Sequence, residues 1–337
     1  MVYLNAHVAT SPCGPALERM REVQEHLPQH LPYAPIYDLL GADPKDTFAF
    51  TASGAEAINQ VHWTAFIEKA RKEGKCHFIT SAVEDAATMQ SLKRLEEFGC
   101  FVKIAPLDAS GQIDVARLAE LISPRTALIS ISLANGFTGV VQPIQEIAKL
   151  AEEKGVWLHA DATYALGKIA TPFQGLDYLT FSGDRLHSVQ GSGGLFAKAG
   201  RPLVPFILGK ELDRPSLMAL SAAASQSALF LDTMNLEVAR LRDSLEERIL
   251  REIPEANVLF QNSLRLPNVS AISFPGAHPE SLLYLLQRKN IFASILGEPL
   301  AMSFSLSRYT TQEDIDRAVP VIVEMAAQLC SLSQELV

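Results

Sequence analysis

At 337 residues, with 48% hydrophobic and 20% charged side chains, the chain is large enough for two domains or for one α/β domain with an appendage. A formal net charge of −9 and the lack of any Lys/Arg run argue against nucleic acid and membrane surfaces as partners. Four scattered cysteines (Cys13, Cys76, Cys100 and Cys330) without a CxxC, and eight histidines without an HExxH, give no metal-site pattern.

The opening MVYLNAHVATSP has no basic segment leading into an apolar core, so no secretory signal is expected, and no apolar run is long enough to span a bilayer. A reducing cytoplasm, with buried or half-buried thiols, is the expected setting. From residue 77 strands and helices alternate. HFITS reads as a strand, and EDAATMQSLKRLEEFG as a helix with Met89, Leu92, Leu95 and Phe98 on one face and Gly99 as its stop. FVKIA, TALISISL, VWLHAD and LDYLTFS read as further strands, separated by the helices DVARLAELIS and QEIAKLAEEKG. Such repetition predicts a mainly parallel sheet with helices on both faces, whose ligands bind beyond the C-terminal strand ends. Those ends carry Ser81, Leu133–Asn135, Asp161 and Ser182. Beyond residue 200 the pattern changes to long helices, then short strands around HPESLLYLLQRKN, and a closing helix from TQEDIDRAV. A large domain over 14–215 and a small α+β domain of 1–13 with 216–337 are expected.

Several long segments carry a resemblance. FTASGAEAINQ looks like the cradle FTSGATEANN of the cysteine desulfurases, and FITSAVEDAATMQ looks like their ITSAVEHPAV segment. The stretch from RTALISISLANGFTGVVQP to HADATYALGKI is similar to their signature from HVNNEIGTIQP to HTDAAQAVGKI. FSGDRLHSVQGSGGLF falls on FSAHKFYGPKGIGAL, and FSLSRYTTQEDIDRAV on FSLGRFTTEEEIDRAV. The chain therefore resembles the NifS-like cysteine desulfurases of the class V aminotransferase group. The resemblance implies the fold-type-I pyridoxal phosphate (PLP) transferase architecture and a homodimer.

Carried over residue by residue, the resemblance implies that Asp161 stands where the family pairs the ring nitrogen, Asn135 beside the ring hydroxyl, and Ser182 at the phosphate. Other positions of this ancestral cofactor site differ. Arg185 replaces the Schiff-base lysine, and a guanidinium cannot form the internal aldimine. Asp85 replaces the ring-stacking histidine, Asp184 a phosphate-binding histidine, Ala55 a phosphate-binding threonine and Tyr164 a glutamine. FASILGEPLAMSFSLS lacks the mobile loop and its nucleophilic cysteine, Ser303 stands at the substrate arginine, and LGKELDRPSL is a shortened form of the segment that reaches the partner's phosphate. Arg185 is expected to bridge Asp161 and Asp184 as a counter-charge.

The combined changes leave no confident catalytic residue. They point to a degenerate member without covalent PLP, and with no cofactor as one outcome. Such a protein would act as a dimeric partner of a desulfurase paralogue, a sulfur acceptor or an iron–sulfur scaffold. The alternative is a PLP- or pyridoxamine phosphate-dependent transferase or lyase with a non-standard site.

Overall fold

The computed structural model describes residues 1–26, 30–209 and 211–335. It divides into two compact units. The larger comprises Ser11–Ala134 and Gln142–Leu229, the smaller Met1–Thr10, Asn135–Val141 and Phe230–Val337. The expected border at 216 thus moves to Phe230. Helix Arg214–Leu229 stays with the larger unit, because its Ala219 and Ala223 pack with Cys13, Ala16 and Val189.

The larger unit is built on seven strands, β1 (Thr47–Thr51), β2 (His77–Ser81), β3 (Phe101–Ala105), β4 (Thr126–Ser132), β5 (Trp157–Asp161), β6 (Tyr178–Ser182) and β7 (Gly193–Ala197). Their order is β1-β7-β6-β5-β4-β2-β3. All neighbours are parallel except β7, which runs antiparallel to β1 and β6. The central strands are buried on both faces, as crossover helices require. Phe78, Leu128, Tyr178 and Leu195 face one cluster with Ala57, Val61, Leu92 and Leu95. The opposite side chains, Ile79, Ile129, Leu158, Leu179 and Phe196, are equally buried.

Two helices frame the site. α1 here denotes Gly54–Ala65 and α2 Ala86–Glu97. Ser53 caps α1 by accepting from Glu56 N, and Asp85 caps α2 by accepting from Ala86 N at 2.8 Å. The apolar face expected on α2 is only half realised. Leu92 and Leu95 are buried, whereas Met89 is 36% and Phe98 51% exposed. The helix ends at Glu97, so Phe98 leaves the helical period and its ring meets Phe66 at a centroid distance of 5.6 Å.

The smaller unit has its own core, centred on Leu245, Ile249, Leu282, Met302, Phe304 and Ile322. Its four-stranded antiparallel sheet includes Ser294–Leu296 paired directly with Ala301–Ser305. Residues 297–300 alone connect these strands. Ser303 is fully buried there and donates to the Phe137 carbonyl at 2.7 Å. Lys210, inside LGKELDRPSL, lies outside the described residues. Among the described residues, no helix is long and apolar enough to cross a membrane.

Candidate functional site

The C-terminal ends of β2, β4, β5 and β6 bring Ser81, Ser132, Asp161 and Ser182 to one edge of the larger unit. Ser132 lies in register with Asp161. Gly54 at the start of α1 meets Ser182 so closely that an added Cβ would come within 3.1 Å of the serine Cβ. The helix N-terminus is thereby set against the end of β6.

Asp161 is 2% exposed. Its Oδ1 accepts from Thr163 Oγ1 at 2.8 Å, from Thr163 N at 3.3 Å and from Thr180 Oγ1 at 3.0 Å. Its Oδ2 is buried and has no hydrogen-bond partner. Burial, followed by the Asp85 charge, pushes its carboxyl up to about 6, against the opposing pull of the two threonines. Asp85 also accepts from the Tyr164 hydroxyl at 3.0 Å, and burial and this carboxylate raise the Tyr164 phenol above its ordinary value.

Asp184 and Arg185 form a separate pair. Arg185 Nη1 donates to Asp184 Oδ2, and Asp184 Oδ1 accepts from Ser182 Oγ at 2.5 Å. The expectation that Arg185 bridges Asp161 and Asp184 therefore holds for Asp184 and fails for Asp161. The Asp161 carboxylate draws its hydrogen bonds from Thr163 and Thr180 instead, because both hydroxyls project at the strand end beside it. Lys168, the lysine of the ALGKI stretch, gives its amine to the Arg185 carbonyl at 2.9 Å and the Leu166 carbonyl at 3.4 Å. Ala55 is an exposed position in the first turn of α1. Asn135 falls in the smaller unit, where its Oδ1 accepts from Phe137 N at 2.9 Å and Thr138 N at 2.8 Å, an Asx-type turn.

Two groups escaped the sequence reading. The Glu84 carboxyl accepts from Ser81 Oγ at 2.6 Å and from Ser132 N and Oγ at 2.6 and 2.7 Å. Burial pushes it up to about 7, and the Asp161 charge adds to that rise. The other is a hydrogen-bonded chain beneath Asp161. Ser91 Oγ contacts His62 Nδ1 at 2.9 Å, and His62 Nε2 contacts Ser130 Oγ at 2.8 Å. Ser130 Oγ contacts His159 Nδ1 at 2.8 Å, and His159 Nε2 contacts Thr180 Oγ1 at 2.9 Å. Both rings are fully buried. Burial lowers His62 to about 3 and His159 well below its ordinary value, so both are neutral.

The proton positions follow by elimination. Thr180 has one hydroxyl proton and gives it to Asp161, so it must accept from His159 Nε2–H. The bare Nδ1 of His159 then accepts from Ser130, and the same step repeats through His62 to Ser91. Every donor points toward Asp161. The histidines stand on a helix and a strand far apart in sequence, so no motif spacing connects them. The available signal was polarity in apolar surroundings: His62 among the buried positions of α1, and His159 inside an otherwise apolar strand.

The arrangement can be tested against PLP. The bare, buried Asp161 Oδ2 suits a ring N–H donor. The phosphate end does not fit. Ser182 spends its hydroxyl on Asp184, Ala55 has no hydroxyl, and Ala52 N donates to Glu56 Oε2 at 2.8 Å. A carboxylate beside a phosphate repels it by about 4 kcal/mol per charge pair at 4 Å in a protein-like dielectric. The residues present thus match half of the cofactor and oppose the other half. Among the described residues, no group of three His, Cys, Asp or Glu is placed to hold a metal ion.

Comparison with known proteins agrees with the fold. A family model described as aminotransferase class V matches residues 34–230. The cysteine desulfurase of Nostoc sp. is 33% identical over 328 residues, covering 88% of this chain and 81% of that protein. The cysteine desulfurase NifS of Azotobacter vinelandii is 32% identical over 331 residues, covering 88% of this chain and 82% of that protein. Among solved structures, a NifS-like protein superposes with a TM-score of 0.89 at 24% identity, covering 97% of this chain and 99% of that one. The apo cysteine desulfurase of Thermococcus onnurineus gives 0.82 at 18% identity, covering 97% and 95%. The architecture is that of fold-type-I PLP enzymes, and the chain belongs to the class V aminotransferase family, with cysteine desulfurases among its relatives.

Proposed function

We propose that this chain is a degenerate cysteine desulfurase-like protein that no longer forms an internal aldimine and works as a dimeric partner or scaffold in sulfur or iron–sulfur metabolism. The observation that carries the reading is the Ser182–Asp184–Arg185 cluster. A cation that cannot lose its proton stands at the lysine position, and its carboxylate partner occupies the phosphate serine. The same cluster gives this part of the site a structural use as an ion pair. Ser303 at the substrate-arginine position and the short 297–300 connection support the reading. The relatives are named cysteine desulfurases, which supports a place in sulfur metabolism, and the free state of all four cysteines suits the cytoplasm.

The test is an absorbance spectrum of the purified protein with added PLP. The expected result is no new band that borohydride can fix to the chain. A borohydride-reducible adduct would overturn the reading. Sedimentation equilibrium checks the dimer, and a strictly monomeric protein would remove it.

A second reading is favoured by the bare Asp161 Oδ2, which suits a ring N–H. It holds that pyridoxamine phosphate binds without a covalent bond. Quenching of its fluorescence by the wild-type protein, abolished in Asp161→Ala, would support this reading against the first.

A further inference from the structure

We propose that Cys76 and Cys100 are a peroxide-reactive dithiol pair at the outer edge of the sheet, with Arg125 as the group that activates Cys76. The pairing follows from strand register. β2 and β3 are parallel, with His77 opposite Phe101 and Phe78 opposite Val102. Phe101 N donates to the Cys76 carbonyl at 2.8 Å, so the pairing extends to the start of both strands. Cys76 and Cys100 stand one step before the first matched pair. Their side chains share the face of Phe78 and Val102, and both pack on the same apolar cluster. Adjacent strands lie about 4.8 Å apart, and a disulfide needs Cα atoms about 4.4–6.8 Å apart. A pair that continues the ladder by one step falls within that range.

The two thiols differ in the way such a pair requires. Cys76 is half-buried and both are free, while Cys100 is 5% exposed. Arg125 Nη2 donates to Cys76 Sγ at 2.7 Å, and its guanidinium lies 6.0 Å from the Phe101 ring centroid, which helps hold it there. The guanidinium is thus held against the sulfur that would attack. Burial, with Cys76 beside it, pushes the Cys100 thiol up to about 11, so Cys100 keeps its proton until it reacts. The remaining cysteines lack this arrangement. Cys13 is 2% exposed, and Cys330 Sγ donates to the Pro275 carbonyl at 3.2 Å.

The chemistry balances with hydrogen peroxide as the oxidant. Cys76 sulfur attacks one peroxide oxygen, the O–O bond breaks, and the departing hydroxide takes a proton and leaves as water. Cys76 is then a sulfenic acid, oxidised by two electrons while the peroxide is reduced. Cys100 sulfur attacks Cys76 sulfur, the S–O bond breaks, and hydroxide leaves as a second water with the Cys100 proton. Two thiols and one peroxide give one disulfide and two waters, and a thiol reductant reverses the change. The disulfide would tie edge strand β3 to β2.

The test treats the full chain with an equimolar amount of hydrogen peroxide, alkylates the remaining thiols and maps peptides by mass. The expected product joins Cys76 to Cys100 and is two hydrogens lighter than the dithiol. Cys100→Ser should stop at a Cys76 sulfenic acid that dimedone traps. Arg125→Met should slow thiol loss several-fold while leaving the circular dichroism spectrum unchanged. Oxidation of Cys13 or Cys330 ahead of Cys76, or over-oxidation of Cys76 in the wild type with Cys100 still free, would overturn the proposal. So would an Arg125→Met rate equal to that of the wild type. The wild-type peptide map decides the pairing even if a variant folds poorly.

Discussion

Replacing Asp161 by asparagine should remove a loss of folded-state stability that the wild type suffers as pH rises from about 4 to about 6. The carboxyl titrates at about 6 in the folded chain against an ordinary value of 3.8. Between those values the folded protein holds a proton that the unfolded chain releases. Stability contributed by this group is therefore fully present below about pH 4, falls as pH rises, and is lost above about 6. Two pKa units at 1.36 kcal/mol each put the loss at ~3 kcal/mol. The Asp161→Asn side chain would keep an oxygen for Thr163 and Thr180 and set an amide where Oδ2 has no partner. A buried amide without a partner costs about 1–3 kcal/mol, but equally at every pH. The informative quantity is the difference between D161N and wild type, measured by urea unfolding at pH 4 and pH 8. It should move in favour of D161N by ~3 kcal/mol between those pH values. Glu84 titrates in both proteins, so the part of its shift that comes from burial cancels, while the part that comes from the Asp161 charge is absent in D161N and moves the difference in the same direction. A difference that does not change with pH would refute the reasoning, because it would mean that Asp161 ionises as freely as in the unfolded chain.

Nitrogen-15 NMR should show His62 and His159 neutral from pH 5 to 8 with the proton on Nε2 in both; an Nδ1–H signal from either ring would break the derived donor order. Arg185→Lys alone should yield no aldimine absorbance with PLP, since Asp184 still holds Ser182. Adding Asp184→His and Ala55→Thr should produce the band, and a band from the single variant would show that the phosphate end is permissive. In the smaller unit, Arg265 holds Glu246 through contacts of 2.8 and 3.2 Å, with side chains 6% and 5% exposed. Glu246→Ala should cost ~3–5 kcal/mol in chemical denaturation, because it leaves a buried guanidinium without its main partner. A loss below ~1 kcal/mol would mean that solvent reaches the pair.

The fold was legible because a two-faced buried strand and an amphipathic helix each leave a periodic trace. TALISIS is buried at every position of β4, its serines and threonine included, as a strand covered by helices on both faces requires. Legibility failed where a neighbour outvoted the period: Phe98 follows Phe66 rather than the face of α2. At the site, motif matching placed Asp85, Asp161, Tyr164, Ser182, Asp184 and Arg185 in one region, and the structure joins Asp85 to Tyr164 and Asp184 to both Ser182 and Arg185. Which carboxylate takes the arginine was not readable, because it depends on the directions in which Thr163 and Thr180 point. His62 and Ser130 were invisible for the same kind of reason, since their meaning arises only when a helix crosses a sheet.

The donor chain from Ser91 to Asp161 also has an electrical meaning. Five hydrogen bonds aligned head to tail act as a row of dipoles laid across the strands, with the positive end resting on the carboxylate. It resembles the amide dipoles of a helix, except that it is assembled from side chains and crosses the sheet instead of following one segment. A change at Ser91, far from the strand ends, would therefore weaken the field at Asp161 without touching it, and the acidity of that one carboxyl would report on the integrity of the whole row.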